Sequence, residues 1–335
     1  MSDKELTPLS VVDGKSLLSM EVEPLKFIIS RFMPTGLHML AGSPKVGKSW
    51  LALWLCHQVS TGAPVWAFET LQCGALYISL EDTLDRLHFR LSRITDNGSE
   101  QSYFAVTADN LSGQFVAQLE AFMRDYPDTG LIVIDTFQRI RDCTVEKNGY
   151  ANDYAEIEKI KGVADRHRIA VLLVHHLRKM PDSDPFNMVS GSTGIIGAVD
   201  SLYVLEKESR TDSKARLHVT GRDIEDMQIL LEFDRDTSVW RFLSFLNAVE
   251  KKEDQLCAAL IAFLTAHGAF TGTATELLAR LREYGDALDI APNALSRALN
   301  DQALTLAKKH GISVSSDRRK GARLINLCFS GDGDD

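Results

Sequence analysis

Short apolar runs alternate with mixed segments along the first three quarters of the chain. The runs 131–134 (LIVI) and 169–174 (IAVLLV) contain only apolar residues, a pattern typical of strands buried on both faces of a parallel sheet. Phe115, Leu119 and Phe122 instead recur at helical spacing. This alternation predicts an α/β fold with a mostly parallel sheet and helices on both of its faces. The predicted strands are 36–41, 74–80, 103–107, 131–134, 169–174, 201–205 and 217–220, with a hairpin over 230–241, and the predicted helices are 50–59, 84–94, 115–124 and 154–167.

Four less regular segments lie outside these elements. Residues 1–20 are polar and predict a flexible arm, whereas residues 21–35 contain two prolines and predict a lead-in that packs against the first strand. Residues 138–153 and 177–194 are mostly polar and predict loops. The irregular stretches therefore leave the strand–helix order of the core intact.

A second, smaller domain is predicted over residues 253–329, after a linker over 246–252 and before an acidic tail over 330–335. Its pattern predicts helices over 254–267, 273–281 and 292–310, and then a hairpin over 312–327. Pro292 suits the first turn of a helix, and Gly311 suits the position just after its end. Three helices followed by a hairpin with a basic tip resemble a winged helix-turn-helix domain.

That resemblance implies a recognition helix and a wing that contact DNA. The recognition helix would carry Arg297 beside Asn293, Ser296 and Asn300, and the wing would offer basic side chains to phosphates. The wing residues are Arg318, Arg319, Lys320 and Arg323. Because winged helices also dock proteins, a protein-interaction role is the alternative.

Composition and charge narrow the class of protein. Hydrophobic residues make up 44% of the 335 residues and charged residues 25%, which is ordinary for a globular domain. The net charge of −9 gives no global sign of a nucleic-acid partner, but residues 251–329 carry 11 Lys/Arg and 8 Asp/Glu, so the second domain is mildly basic at +3. No leader pattern and no apolar run near ~18 residues occurs, so we expect a cytoplasmic protein without a membrane span. The five cysteines are scattered, which predicts reduced thiols.

The strongest motif is GSPKVGKS at residues 42–49, which has the G-x-x-x-x-G-K-[ST] pattern of a phosphate-binding P-loop. Its glycines allow a tight turn whose backbone N–H groups bind anionic oxygens at a helix N-terminus. Lys48 would contact the β- and γ-phosphates, and Ser49 would ligate Mg²⁺. A strand before the loop and a helix after it are the context that this motif requires. The predicted nucleotide-binding residues are Gly42, Ser43, Pro44, Lys45, Val46, Gly47, Lys48, Ser49 and Trp50.

Polar residues follow three of the predicted strands, at the edge of the sheet where α/β proteins bind ligands. Asp135 follows LIVI and suits a Mg²⁺ ligand opposite Ser49, although an Asp here also suits a helix N-cap. Glu81 would accept a proton from the attacking water, with Asp82 as its neighbour or substitute and a solvated strand end as the alternative. His176 would contact the γ-phosphate, whereas His175 would face the core or the helix layer.

These motifs together resemble the RecA-like ATPase core. The P-loop, LYISLED (76–82), LIVIDTF (131–137) and LLVHHLRK (172–179) look most like those of RepA-type plasmid helicases, relatives of the hexameric DnaB-type replicative helicases. The lead-in over 23–53 is also similar to the opening of RepA-type ATPases from phages and mobile elements. The resemblance covers roughly residues 20–245, so the predicted ATPase domain is 21–245.

The resemblance implies a hexameric ring that binds ATP between subunits and single-stranded DNA in its channel. Glu81 and His176 then match the family's water-activating and γ-phosphate-sensing positions. Arg222, in LHVTGRD, matches the arginine finger that reaches the neighbour's nucleotide, with a surface arginine beside Asp223 as the alternative. The family's DNA loops correspond to 138–153 and 177–194, where Arg178 and Lys179 are the best phosphate contacts.

The sequence therefore predicts an ATP- and Mg²⁺-dependent, RepA-like helicase or translocase acting on single-stranded DNA in the replication of a plasmid, phage or mobile element. It differs from the DnaB pattern because no helical domain precedes the ATPase motifs. One alternative is a RecA-like ATPase that loads or regulates replication or recombination proteins without unwinding. The other alternative is a nucleotide-gated DNA-binding regulator that acts mainly through the second domain.

Overall fold

The structure is a computed structural model that describes residues 11–20, 24–141, 149–178, 182, 184–190, 193–209, 211–246, 250–284, 290–319 and 322–329. The chain divides into two compact units. The larger unit is Leu25–Asp254, and the smaller one contains the chain from Gln255 onward together with the residues up to Pro24. None of the described helices combines the length and the apolar composition that crossing a bilayer requires.

The first helix and the larger unit account for most of the secondary structure. In chain order the elements are α1 (Gly14–Ser19), β1 (Phe27–Ile29), β2 (Met33–Pro34), β3 (Gly36–Gly42), α2 (Lys48–Thr61), β4 (Gly74–Ser79), α3 (Leu84–Ile94), β5 (Ser102–Ala105), α4 (Phe115–Asp125), β6 (Thr129–Asp135), α5 (Phe137–Ile140), α6 (Gly149–His167), β7 (Ala170–His176), a 3-10 turn (Pro185–Met188), α7 (Thr193–Ala198), β8 (Ser201–Glu206), β9 (Lys214–Gly221), β10 (Met227–Asp234) and β11 (Val239–Phe245).

A nine-stranded sheet organises the larger unit, in the order β11-β10-β9-β8-β3-β7-β6-β4-β5. The strands from β8 to β5 in this order are parallel, whereas β9, β10 and β11 add to β8 as antiparallel strands. The α/β fold with a mostly parallel sheet is therefore confirmed. β7 lies between β3 and β6, so the strands that end in the P-loop and in Asp135 are both its direct neighbours.

Both faces of this sheet are buried, which explains the uninterrupted apolar runs. Leu131 and Val133 of β6 pack in one core cluster, which also contains the apolar residues of α2. Ile132 and Ile134, which point to the opposite face, pack in a second cluster with residues of α4 and α6. Every residue of β3 and of β6 is buried.

Several elements differ from their predicted bounds. α1 lies within the predicted flexible arm, and the lead-in forms the antiparallel pair β1–β2. The predicted loop 138–153 is shorter, because α5 continues to Ile140 and α6 begins at Gly149. The predicted loop 177–194 contains the 3-10 turn, and α7 begins at Thr193. Polar sequence did not exclude helix here, since a helix needs apolar residues on only one face.

The smaller unit combines helices with a three-stranded antiparallel sheet. Its core contains Phe263, Leu277, Leu295, Leu306 and Leu327. The strands pair in the order β12-β14-β13. Its elements, of which α8 begins in the larger unit, are α8 (Glu250–His267), β12 (Ala269–Gly272), α9 (Ala274–Leu281), α10 (Pro292–Asp301), α11 (Ala303–His310), β13 (Ile312–Arg319) and β14 (Ala322–Phe329).

Three features of this unit differ from the sequence-based prediction. The helix predicted over 292–310 is two helices, because the chain turns at Gln302, whose φ and ψ of −99° and 0° interrupt the helix. Strand β12 was not predicted, since four residues are too few for a clear period-two pattern. α8 begins at Glu250, inside the predicted linker 246–252. Gly311 ends α11 in the left-handed conformation (φ 61°), as predicted.

Candidate nucleotide site

The P-loop joins the end of β3 to the N-terminus of α2, and close packing requires both of its glycines. Gly47 has a φ of +108°, and a Cβ there would lie 3.0 Å from Nε1 of Trp240. A Cβ on Gly42 would lie 2.7 Å from the carbonyl oxygen of Leu205 in β8. The loop therefore passes between two neighbouring segments with no room for a side chain, and it presents its backbone at a helix N-terminus, where anions bind.

The other predicted nucleotide-binding residues surround this turn. Ser43, Pro44 and Lys45 are exposed, whereas Val46 is buried against the core. Trp50 is half-buried, with the Arg90 guanidinium 5.5 Å from the centre of its ring. The exposed part of the loop thus faces solvent, and its hydrophobic residue anchors it.

Lys48 is buried inside the loop, with only 6% of its surface exposed. Its Nζ donates to the carbonyl oxygens of Gly42 at 2.7 Å and Ser43 at 3.1 Å. Burial lowers the pKa of Lys48 from 10.5 to about 8, and the carboxylates of Asp135 and Glu81 oppose this shift. The ammonium group lies among carbonyl dipoles and would gain a stronger partner in a phosphate.

This shift predicts proton uptake when ATP binds above neutral pH. At pH 8 to 9 a large share of Lys48 is neutral in the nucleotide-free protein, and phosphate favours its charged form. The affinity for ATP should therefore fall as pH rises above about 8, by up to ~10-fold per pH unit. Calorimetric titrations in buffers of different ionisation enthalpy measure the protons taken up. A variant with Lys48→Met should show neither proton uptake nor this pH dependence, and equal proton uptake by the variant would contradict the prediction.

Asp135 ends β6 beside the P-loop helix, and its side chain is almost fully buried. Its Oδ2 accepts a hydrogen bond of 2.5 Å from the Tyr77 hydroxyl, and the Ser49 side chain also hydrogen-bonds to the carboxylate. Burial raises the pKa of Asp135, and these two hydrogen bonds only partly offset it. A buried carboxylate beside a serine hydroxyl suits Mg²⁺, so these residues fit the ion implied by the P-loop. The alternative of a helix N-cap is wrong, because Thr136 is the N-cap of α5.

Glu81 and Asp82 have different surroundings although they are adjacent. Leu80 N donates to Asp135 O at 2.7 Å, so the chain after β4 passes directly beside the end of β6. Glu81 is exposed and accepts a hydrogen bond of 3.3 Å from the Thr136 hydroxyl. Asp82 instead forms ion pairs with Arg86 at 3.3 Å and Arg90 at 2.5 Å. Glu81 is therefore the carboxylate with an open face toward water.

The two histidines at the end of β7 point to different environments. His176 pairs with Gly42 in the register of β3 and β7, and it is half-buried. Burial and the nearby charge of Lys48 lower its pKa, so it is neutral at pH 7. His175 is buried against Phe137, and its Nε2 lies 2.9 Å from Ser190 O. Only His176 is placed beside the P-loop, as the sequence predicted.

Two residues of this site were missed from the sequence. Tyr77 lies inside an apolar strand, where nothing distinguishes it from a core residue. Trp240 comes from the β10–β11 hairpin, and its Nε1 lies 3.3 Å from Gly47 O. The Lys207 ammonium lies 5.0 Å from the centre of the Trp240 ring. The one sequence signal for either residue is the position of Tyr77, four residues before Glu81.

Comparison with known proteins identifies the family. A family model described as an AAA domain matches residues 2–182, more than half of the chain. The chain belongs to this AAA domain family. A second model, described as the AICE RepA C-terminal domain, matches residues 256–330. No curated protein matches the chain significantly.

Solved structures show which fold the AAA domain adopts. One of them, which its title describes as an ATPase domain, matches with a TM-score of 0.52 and 15% identity, over 64% of this chain and 86% of that chain. The structure titled "The Structure Of A DnaB-Like Replicative Helicase And Its Interactions With Primase" matches with a TM-score of 0.50 and 14% identity, over 65% of this chain and 58% of that chain. This chain thus spans less than two thirds of that DnaB-like chain. The likeness confirms the fold of a RecA-like helicase ATPase domain.

In the AAA domain, Arg222 lies far from its own P-loop. It follows β9, whose last residue Gly221 pairs with Ser201 at the start of β8. Gly42 pairs with Leu205 near the end of β8, so the P-loop lies at the opposite edge of the sheet. Arg222 is 56% exposed and contacts Asp200 rather than Asp223. Any nucleotide that Arg222 contacts would therefore be bound by another copy.

The predicted DNA-contacting residues of the AAA domain are only partly described. Arg178 is exposed and lies 3.6 Å from Asp182, in an ion pair. Arg141, in the other predicted loop, pairs with Glu156 at 2.8 Å. Lys179 lies outside the described residues. The ion pairs show that two of the loop arginines already have acidic partners.

In the smaller unit, the buried face of α10 contains Leu295 and Leu299, and Arg297 is exposed on the same helix. Arg323 of β14 is exposed and donates to Ser316 Oγ at 3.3 Å. The backbones of Arg318 and Arg319 belong to β13, next to the turn of the hairpin, and Lys320 lies outside the described residues.

Trp240 predicts a link between stability and the P-loop of the AAA domain. The side chain is 1% exposed and fills the space beneath Gly47. Trp240→Ala should lower the free energy of unfolding by about 3–5 kcal/mol and weaken ATP binding. Trp240→Phe, which keeps the ring packing but loses the bond to Gly47 O, should cost less. Urea unfolding and nucleotide titration test this, and an Ala variant as stable as the wild type would contradict it.

Proposed function

We propose that this chain is an ATP-hydrolysing, RepA-like DNA helicase or translocase that acts on single-stranded DNA in the replication of a plasmid, phage or mobile element. The observation that carries the proposal is the meeting of Lys48, Asp135 and Glu81 at one edge of the sheet. These residues come from three separate segments, and each has the chemistry that phosphoryl transfer needs. The AAA domain and the RepA-type C-terminal domain together fit a replication helicase.

In the proposed reaction the P-loop backbone and Lys48 bind the phosphates of ATP and neutralise the charge that develops on them. Mg²⁺, when held by Ser49 and Asp135, supplies further charge to the phosphate oxygens. Glu81 orients the attacking water and accepts its proton, since its carboxylate faces solvent beside Asp135. His176, neutral at pH 7, contacts the γ-phosphate. Arg222 of a neighbouring copy completes the site.

This arrangement requires an oligomer, for which we propose a hexameric ring. Arg222 lies at the sheet edge opposite the P-loop, so a head-to-tail contact between copies would bring it to the neighbour's nucleotide. Single-stranded DNA would pass through the centre of the ring, along the segments that follow β6 and β7. Arg178 and Lys179 would contact its phosphates.

For the smaller unit we propose a winged helix that contacts DNA. The order helix, strand, helix, helix pair and two-stranded hairpin supports this, as does a sheet in which β14 lies between β12 and β13. Arg297 on α10 would approach the bases, and Arg318, Arg319, Lys320 and Arg323 would contact phosphates. In the full chain, Arg297→Ala with Arg323→Ala should weaken duplex binding without changing ATP hydrolysis. Unchanged duplex binding would favour a protein-docking role.

The deciding experiment measures ATP hydrolysis by the full chain with and without single-stranded DNA, beside Lys48→Ala. Strong stimulation by single strands that Lys48→Ala abolishes supports a DNA-coupled motor. A strand-displacement assay then distinguishes unwinding from translocation alone. Hydrolysis that ignores single strands would overturn the motor.

The ion pairs of Arg141 and Arg178 favour one alternative, an ATPase that loads or regulates other replication proteins. Both side chains already have acidic partners, so their binding to phosphates costs the loss of those pairs. Arg178→Ala should weaken binding of single-stranded DNA and reduce its dependence on salt if this residue contacts a phosphate. An unchanged salt dependence would favour the loader or regulator.

A further inference from the structure

An almost buried carboxylate at the amino edge of the sheet holds the guanidinium of Arg222. Asp200 lies between α7 and β8, and its side chain is 12% exposed. Its Oδ1 accepts a hydrogen bond of 3.2 Å from Nη1 of Arg222, and the backbone N of Arg222 donates to Asp200 O at 2.9 Å. The other terminal nitrogen, Nη2, donates to Gly197 O at 2.7 Å. Two contacts on different nitrogens define the orientation of the guanidinium plane.

The carboxylate of Asp200 is itself held in place by two other elements. Its Oδ2 accepts a hydrogen bond of 2.9 Å from the backbone N of Leu37 in β3. The same oxygen forms an ion pair with Lys161 of α6. A Cβ on Gly36, whose φ is +133°, would lie 2.7 Å from this oxygen, so the carboxylate occupies space that only glycine leaves. Asp200 therefore joins Arg222 to the start of the P-loop strand and to α6.

We infer that Asp200 is a positioning residue, which holds Arg222 in the orientation that reaches the nucleotide of a neighbouring copy. The inference rests on the proposed function of Arg222 as an arginine finger. An arginine that is 56% exposed would otherwise sample many rotamers, and ordering it would add to the barrier of the reaction. Asp200 removes part of that cost before the neighbour's ATP arrives.

The test begins with Asp200→Asn in the full chain. The amide keeps an acceptor for Leu37 N but loses the charge that pairs with Arg222 and Lys161. We expect kcat for ATP to fall by about 10- to 100-fold with little change in KM, because the P-loop lies at the other edge of the sheet. Glu120→Gln is the matched control, since Glu120 also accepts hydrogen bonds from two basic side chains of α6. The control should leave kcat unchanged.

Mixed oligomers separate a positioning role from a structural one. Copies with Lys48→Ala have an intact Arg222, and copies with Asp200→Asn have an intact P-loop. In a 1:1 mixture about a quarter of the interfaces combine the two intact parts, so activity should return although each variant alone is nearly inactive. Arg222→Ala mixed with Lys48→Ala is the positive control for a shared site. Asp200→Asn should add no further loss to Arg222→Ala.

The outcomes distinguish this inference from the proposed function. If Arg222→Ala has no effect on kcat, the arginine finger fails, and the role of Asp200 fails with it. If Arg222→Ala lowers kcat but Asp200→Asn behaves like Glu120→Gln, only the positioning role is overturned. A loss in Asp200→Asn that mixing does not restore also overturns it. Should the Asn variant not unfold cooperatively, Asp200→Glu keeps the charge but displaces the carboxylate, and it should lower kcat in the same restorable way.

Discussion

Glu81→Gln should lower kcat for ATP hydrolysis by about 10²- to 10⁴-fold while ATP still binds. The amide keeps the size of the side chain and its contact with Thr136, but it cannot accept a proton from water. Single-turnover hydrolysis measures the chemical step, and equilibrium titration measures nucleotide affinity. Because the nucleotide is held but not cleaved, the variant should also retain ATP longer than the wild type.

Asp82→Asn is the matched control for this prediction. Asp82 is adjacent in sequence but forms ion pairs with Arg86 and Arg90, so its loss should reduce stability more than it reduces the chemical step. A larger loss of single-turnover rate in Asp82→Asn than in Glu81→Gln would exchange the two roles. Equal activity of Glu81→Gln and the wild type would remove Glu81 from the reaction altogether.

Asp135→Asn should have the second large effect, a loss of about 10³-fold in kcat, since a metal ion contributes several kcal/mol to such transition states. The nucleotide-free protein should not lose stability. The neutral amide can still pair with Tyr77 and Ser49, and it removes a buried charge whose burial is costly. Thermal unfolding with ATP, in the presence and absence of Mg²⁺, provides a readout besides activity: Mg²⁺ should raise Tm in the wild type and not in the variant.

Tyr77→Phe is the graded control for Asp135. It keeps the carboxylate but removes the hydroxyl that donates to Oδ2, so it should raise the Mg²⁺ concentration needed for half-maximal activity without abolishing hydrolysis. An Asp135→Asn variant with a normal Mg²⁺ response would show that the ion is held elsewhere.

Patterns within short segments were sufficient for much of the fold and of the site. The P-loop needs only a strand, a turn and a helix in succession, so its spacing alone predicted where phosphate binds. The runs LIVI and IAVLLV predicted strands buried on both faces, because each face of the sheet is covered by helices. Asp135 and His176 then followed from the rule that parallel strands end at one edge.

Contacts between distant segments settled the remaining points. The roles of Glu81 and Asp82 separate only because Arg90, one turn further along α3, pairs with Asp82. Trp240 supports Gly47 from 193 residues away, and Asp200 holds Arg222 across the amino edge of the sheet. No local period encodes such contacts, since they depend on which strands become neighbours. Sequence patterns thus predicted the chemistry at each strand end, whereas strand order decided which side chains meet, because burial selects packing over the whole domain.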